Sequence, residues 1–437
     1  MLVRSNTATL RMLPVAAPSD GPAGRTLSWR PRGFTAAILI LSTLVSLWLF
    51  TPVFWDRLGG DSRAFYAAAR LQHRGSDPYS FAQLSAEEAA IDISTGARPE
   101  SSAYGANPYH YPPLMTHAWE ALIPLGDRAF YWVNVAALLL LGLLGLELIL
   151  AALAWSNRWL ARAFFVVSPA MAVVLVSGNP STLLLAAWGG ALLAASRNRA
   201  LLAGALLAIG WIKPPVGIPV ALALAIAGPG PRRLLAAGFG LGTTAFAAAN
   251  ILVGGPAETS RWLASLFEFI ATLNPRQTTV IGQCCLTGLP ALLVGSVPMP
   301  LTVLAAVAVA VTILGVAYRR RLLGAVRPDP LLPLAILTGL ALMVTPYVHL
   351  NDLVLETLPL LVIASRPLTL VSRPTLVLWG LGAATPVALS ALPVASNAGL
   401  PTSVAAFGLL LGTLTVAALV AVVKPDAAEL TTAGVLA

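Results

Sequence analysis

The side chains able to do chemistry in this 437-residue chain are conspicuous because so few are charged. Asp61 stands a few residues beyond the first long apolar run, with Arg63 and Tyr66 following it in DSRAFYAAARLQHR (61–74), a stretch with helical spacing. A carboxylate beside a membrane cavity can serve as a general base that takes the proton from an attacking hydroxyl. Asp is equally favoured as a helix cap, and Asp56 competes for either role. Lys213 is one of two lysines and interrupts an apolar run. An ionisable group at membrane depth marks function by default. Its natural ligand would be an anionic phosphate, with a buried ion pair or snorkelling as the structural alternative. His349, in TPYVHLND (345–352), has Asp352 three residues on; the imidazole could bind phosphate, orient a carboxylate or be a satisfied structural histidine. NPRQTT (274–279) offers Asn274, Arg276 and Gln277, donors suited to sugar hydroxyls and phosphate, or to a solvated loop. YHYPPL (109–114) presents Tyr111 as a stacking aromatic or as an interfacial anchor.

Several chemistries have no motif to carry them. The chain lacks the G-x-x-x-x-G-K-[ST] phosphate loop, H-E-x-x-H, paired metal-binding cysteines and the G-x-S-x-G elbow. No D-x-D pattern occurs that would hold a nucleotide-sugar diphosphate through a metal, so neither a metal nor a cofactor is expected. The adjacent Cys284 and Cys285 suit a small-residue core position better than redox work.

The elements that must position these residues are membrane spans. Hydrophobic residues make up 57% of the chain and charged ones 10%, under half the roughly 25% typical of a soluble domain. That balance excludes a soluble enzyme and a disordered chain, and two vicinal cysteines cannot frame a disulfide scaffold. The net charge is +9, but no Lys/Arg stretch with interleaved aromatics appears outside the short inter-helix turns, which argues against a nucleic-acid partner. It fits the positive-inside bias of a bacterial plasma-membrane protein.

Apolar runs near 34–54, 128–154, 163–177, 181–195, 200–212, 214–227, 234–254, 299–317, 330–346, 350–365, 374–391 and 401–423 give twelve candidate spans. With both termini cytoplasmic, eighteen of the 27 basic residues fall in inner segments, whereas the outer segments are acidic on balance. This parity requires 163–195 and 200–227 to be hairpins that turn at GNP (178–180) and KPP (213–215), near Asn179 and Lys213. Arms of about 12–15 residues are shorter than the roughly 20 needed to span, so the turns are expected below the outer surface, lining a wet chamber.

The expected organisation is a cytoplasmic tail over 1–33, one transmembrane domain over 34–423 and a cytoplasmic tail over 424–437. The first extracytoplasmic loop, 55–127, carries interfacial amphipathic helices at 61–74 and 80–92 and a membrane-edge helix at 112–125. A second outer excursion, 255–298, includes a Trp- and Phe-rich helix at 257–272.

The stretches GDSRAFYAAARLQHRGSDPY (60–79), NPYHYPPL (107–114), GNPSTLLLAAW (178–188), AGALLAIGWIKPP (203–215), NPRQTTVIG (274–282) and TPYVHLNDLVLETLPLL (345–361), in this order, resemble glycosyltransferase family 87. Its members are polyprenyl-phosphate-sugar-dependent membrane enzymes that include actinobacterial α-mannosyltransferases. The resemblance implies an all-α polytopic fold of the GT-C type, with the active site facing away from the cytoplasm. It implies a base carboxylate in the first outer loop, which maps to Asp61, and a lipid-linked sugar as co-substrate. Lys213, Arg276, His349, Gln277 and Asn179 then become candidates for the donor's phosphate or sugar. Tyr66, Arg63, Tyr111 and Asn274 become candidates for the acceptor or the cavity wall. The expected partners are membrane lipid, a polyprenyl-phosphate sugar (mannose first, arabinofuranose as rival) and a glycolipid or cell-envelope glycan acceptor, with inversion at the anomeric carbon. From the residues alone, a transporter or lipid flippase with broken helices accommodates the same intramembrane lysine.

Overall fold

The computed structural model describes residues 60–94, 109–155, 158–227, 231–272 and 350–364, with isolated positions near 40–47 and 338–342. The spans expected at 299–317, 374–391 and 401–423, most of those at 34–54 and 330–346, and both tails lie outside these residues. So do Asn274, Arg276, Gln277, His349, Cys284 and Cys285.

Every regular element among the described residues is a helix. They are α1 (Gly60–His73), α2 (Phe81–Ser94), α3 (Pro113–Glu120), α4 (Asp127–Ala152), α5 (Arg158–Val166) and α6 (Pro169–Ser177). Next come α7 (Ser181–Ser196), α8 (Ala200–Leu207) running into a 3-10 segment (Ala208–Ile212), α9 (Pro214–Ala227) and α10 (Arg232–Thr272). A 3-10 helix (Leu350–Glu356) then leads into α11 (Thr357–Ala364).

Two of these are long and apolar enough to cross a membrane, α4 and the Arg232–Leu266 part of α10; the bent pair α5 and α6 would make a third. α4 is the clearest. Gly126 lies at positive φ ahead of it, Asp127 sits in the first turn where the helix dipole favours an acid, and 26 residues rise about 39 Å. One face of α4 is buried through Val135, Leu138, Leu146 and Ile149, while Leu140 and Leu144 on another face are 67% and 49% exposed. That division suits a helix with bundle on one side and lipid on the other.

The bundle core forms where α4 packs along α7 and α7 along α8, with α8 in turn against α10. Gly145 of α4 and Gly189 of α7 allow the two backbones to touch. A Cβ at Gly189 would lie 2.6 Å from the Gly145 carbonyl oxygen, and one at Gly145 would lie 2.8 Å from the Ala186 nitrogen. Small residues at such crossings are how membrane helices gain close van der Waals contact. A second, aromatic core joins α1, α2 and α3 through Phe65, Tyr66, Leu84, Ile91, Tyr109 and Trp119.

Helices break at GNP, between α6 and α7, and at KPP, where the 3-10 extension of α8 packs against α9. The structure adds detail to three further expectations. The stretch 163–177 is not one arm: α5 stops at Val166, and Ser168 caps α6, its hydroxyl accepting from the Met171 N–H at 3.2 Å with Pro169 in the first turn. Ser-Pro is a helix-start signal that an apolar run conceals. The helix expected at 61–74 is α1, in which Ser62, Ala64 through Ala69 and Leu71 are all buried because α2, α3 and α4 pack around it. Finally, the helices expected at 234–254 and 257–272 are both present as the two arms of α10, which part at Gly255, whose backbone is non-helical (φ 74°, ψ 168°), just before Pro256.

Candidate active site

The first turn of α1, the turns at GNP and KPP and the 3-10 helix Leu350–Glu356 converge on one polar cluster. Asp61 enters it from α1 and is half-buried. Asn179 follows Gly178, whose left-handed backbone (φ 80°, ψ 21°) ends α6 and sends its N–H to the Val174 carbonyl at 2.8 Å. Lys213 sits in the turn between the 3-10 segment and α9, donating its own N–H to Gly210 and accepting from Gly217. Asp352 arrives from the 3-10 helix and is fully buried.

The contacts form a chain. The Asn179 side-chain N–H donates to Asp61 Oδ2 at 2.9 Å and approaches the Tyr111 hydroxyl at 3.5 Å. Its carbonyl oxygen accepts from the Ser181 backbone N–H at 3.1 Å, the Ser181 hydroxyl at 2.5 Å and Lys213 Nζ at 3.5 Å. Lys213 Nζ pairs with Asp352 Oδ1 at 2.6 Å, and the Ser181 hydroxyl reaches the same oxygen at 2.5 Å. Asn179, Ser181, Lys213 and Asp352 are all buried. In a low-dielectric interior a lone ammonium or carboxylate is very costly, which is why the two charges meet with further polar partners around them. Beneath the chain, the Asn134 amide donates to Ser62 Oγ at 3.2 Å and to the Gly178 carbonyl at 3.1 Å, tying α1 to the Gly178 turn.

The aromatic core forms one wall. Phe65 stacks on Trp119 with centroids 4.0 Å apart and planes 10° off parallel, and Tyr111 meets Phe65 edge-on at 4.9 Å. The Tyr79 hydroxyl donates to the Tyr111 carbonyl at 3.0 Å, which fixes the loop that presents Tyr111. Burial drives the Tyr109 phenol well above its ordinary range, keeping it a donor or acceptor for Thr116 at 2.8 Å.

Of the residues singled out by sequence, the structure therefore brings together Asp61, Asn179, Lys213 and Tyr111. Arg63 pairs with Glu88 at 3.0 Å. Tyr66 packs on Phe130 at 5.0 Å, with the Arg70 guanidinium 5.8 Å over its ring. Sequence reasoning missed Ser181, Asn134 and Ser62, and it used Asp352 only as a neighbour of His349. An acid in an otherwise apolar stretch, opposite a lone lysine, was the available signal for Asp352.

A second polar cluster lies where α3 meets α10. His117 Nδ1 is 2.9 Å from Glu120 and its Nε2 3.3 Å from Glu258, with the Gln72 amide 3.3 Å from that same Nε2. No group of three or more His, Cys, Asp or Glu among the described residues is placed to hold a metal ion.

The sequence profile of glycosyltransferase family 87 matches residues 109–346, more than half of the chain. The chain belongs to glycosyltransferase family 87. This family-87 protein is accordingly a membrane glycosyltransferase, and its apolar helices agree with that. The matched segment includes Tyr111, Asn179 and Lys213 but begins after Asp61 and ends before Asp352, so the polar cluster extends past both of its ends. No curated protein and no solved structure matches the chain.

Proposed function

We propose that this family-87 enzyme moves a sugar, mannose, from a polyprenyl-phosphate donor to a hydroxyl of a glycolipid or cell-envelope glycan on the extracytoplasmic side. The framework is a GT-C arrangement of about twelve helices with both termini cytoplasmic, the count at which the inner turns collect the basic residues. The observation that carries the reading is that one buried amide, Asn179, touches a half-buried carboxylate on one side and a buried ammonium on the other. Those are the two charges that a sugar phosphate needs.

In the reaction, the acceptor oxygen attacks the anomeric carbon as its proton passes to the Asp61 carboxylate. The bond from that carbon to the phosphate oxygen breaks, and the polyprenyl phosphate leaves with the electron pair. Attack opposite the leaving group inverts the anomeric centre. Lys213, with Arg276 and His349 as further candidates, offsets the charge developing on the phosphate, so the step needs no metal. Gln277 is a further candidate for the donor headgroup, and Asn179 bridges Asp61 and Lys213. Tyr111, Arg63 and Tyr66, with Asn274 as a further candidate, are assigned to the acceptor or the cavity wall, and no cofactor beyond the lipid-linked sugar takes part.

The test uses purified protein in liposomes, with radiolabelled polyprenyl-phosphate mannose and, separately, the arabinofuranose donor. Wild type should label the acceptor from the mannose donor. Asp61→Asn should fold, bind donor and transfer nothing; transfer at the wild-type rate by this variant would remove Asp61 from the base role.

A further inference from the structure

We propose that Asn179 is a positioning residue whose amide couples the Lys213–Asp352 ion pair to Asp61, holding the base in its charged, receptive orientation. The inference rests on Asp61 acting as the base. The argument is one of hydrogen-bond polarity. A side-chain amide has one accepting and one donating end, and which faces where follows from its partners. The Ser181 backbone N–H can only donate, and the Lys213 ammonium can only donate. Both address the same Asn179 oxygen, at 3.1 Å and 3.5 Å. The nitrogen end is therefore committed to Asp61, at 2.9 Å. Rotating the amide by half a turn would set two donors against its N–H groups and its oxygen against a carboxylate.

Among the described residues, the titratable groups around this amide are Asp61 from α1, Tyr111 from the loop before α3, Lys213 from the turn before α9 and Asp352 from the 3-10 helix. Arg63, the next cation along α1, pairs with Glu88. The charge that orients the amide is Lys213, which Asp352 keeps in place. A hydrogen bond given to an ionised carboxylate favours the ionised form, so the contact keeps Asp61 able to accept a proton at lower pH. A phosphate that draws Lys213 away from Asp352 would alter the partner on the oxygen end and be felt at Asp61, across a single side chain.

The experiment measures kcat and KM against pH for reconstituted wild type, Asn179→Ala, Asn179→Asp and Asn179→Gln with polyprenyl-phosphate mannose. In Asn179→Ala, kcat should fall roughly 10- to 100-fold and the acidic limb of its pH profile should move up by about one unit, with KM for donor little changed. Asn179→Asp retains an oxygen for the Ser181 N–H but turns a second one on Asp61, and should move the limb further. Asn179→Gln, which keeps both ends of the amide, should return the limb toward wild type. A uniform loss of kcat with the limb unmoved in both the Ala and the Asp variants would overturn the proposal. With Asp61→Asn inactive, that result leaves the base assignment standing; transfer retained by Asp61→Asn overturns the base assignment and this inference with it.

Discussion

Gly178→Ala should disable the site through its backbone, and the size of the effect can be worked out in advance. Gly178 lies at φ +80°, where an L side chain is strained by about 1–2 kcal/mol. A Cβ there would fall 1.7 Å from Ser62 Oγ, 2.9 Å from Ser62 Cβ and 3.0 Å from the Asn134 amide nitrogen. Relieving an overlap of that kind in a packed interior costs about 1–3 kcal/mol. Ser62 or Asn134 must move, which sacrifices one buried hydrogen bond worth about 1 kcal/mol. The sum is about 3–6 kcal/mol. The control is Gly75→Ala, at φ +71° with nothing within 4 Å of its Cβ, which should lose only the strain of about 1–2 kcal/mol. Denaturant unfolding of both variants in detergent micelles reads the difference, and transfer in liposomes reads the displacement of Asn179, the next residue. Equal losses for the two substitutions would refute the argument, because their backbones share the sign of φ and only Gly178 has neighbours in the way.

Two more outcomes are expected. Lys213→Met or Asp352→Asn alone should each destabilise the protein by about 3–5 kcal/mol by stranding the buried partner charge, whereas the double variant should recover much of that stability and none of the transfer, as checked by unfolding and transfer assays side by side. Burial pushes His110 down to about 4, so the unfolded chain binds a proton there from about pH 6.5 downward while the native fold resists it. Stability should decline as pH falls from about 6.5 toward 4, and a His110→Gln variant should lack that component of the slope.

The sequence made the membrane class, the boundaries of α4 and the helix breaks at GNP and KPP legible, because apolar length and the Gly and Pro that interrupt it are properties of the chain itself. It brought Asp61, Asn179 and Lys213 forward on residue type and placement. It could not show that Asn179 bridges Asp61 and Lys213, since residues 61, 179, 213 and 352 meet only through the packing of four separate elements. The burial of α1 was hidden for a related reason. Its alternation of apolar and polar residues is the same whether the surroundings are lipid headgroups or the rings of Trp119 and Phe130. The break ahead of α6 was legible in Ser168–Pro169 but outweighed by the apolar run around it.

The crossing of α4 and α7 places two regimes of sequence drift on one helix. At Leu144 the side chain faces outward, and any apolar residue of similar bulk would serve. One position on, at Gly145, a single added methyl meets the α7 backbone at 2.8 Å. Neutral change can therefore accumulate freely over the outer face of α4 and is barred at its neighbour. The separation of the two helices, and with it the placement of the Asn179 turn at the head of α7, is heritable through an atom that is missing rather than one that is present.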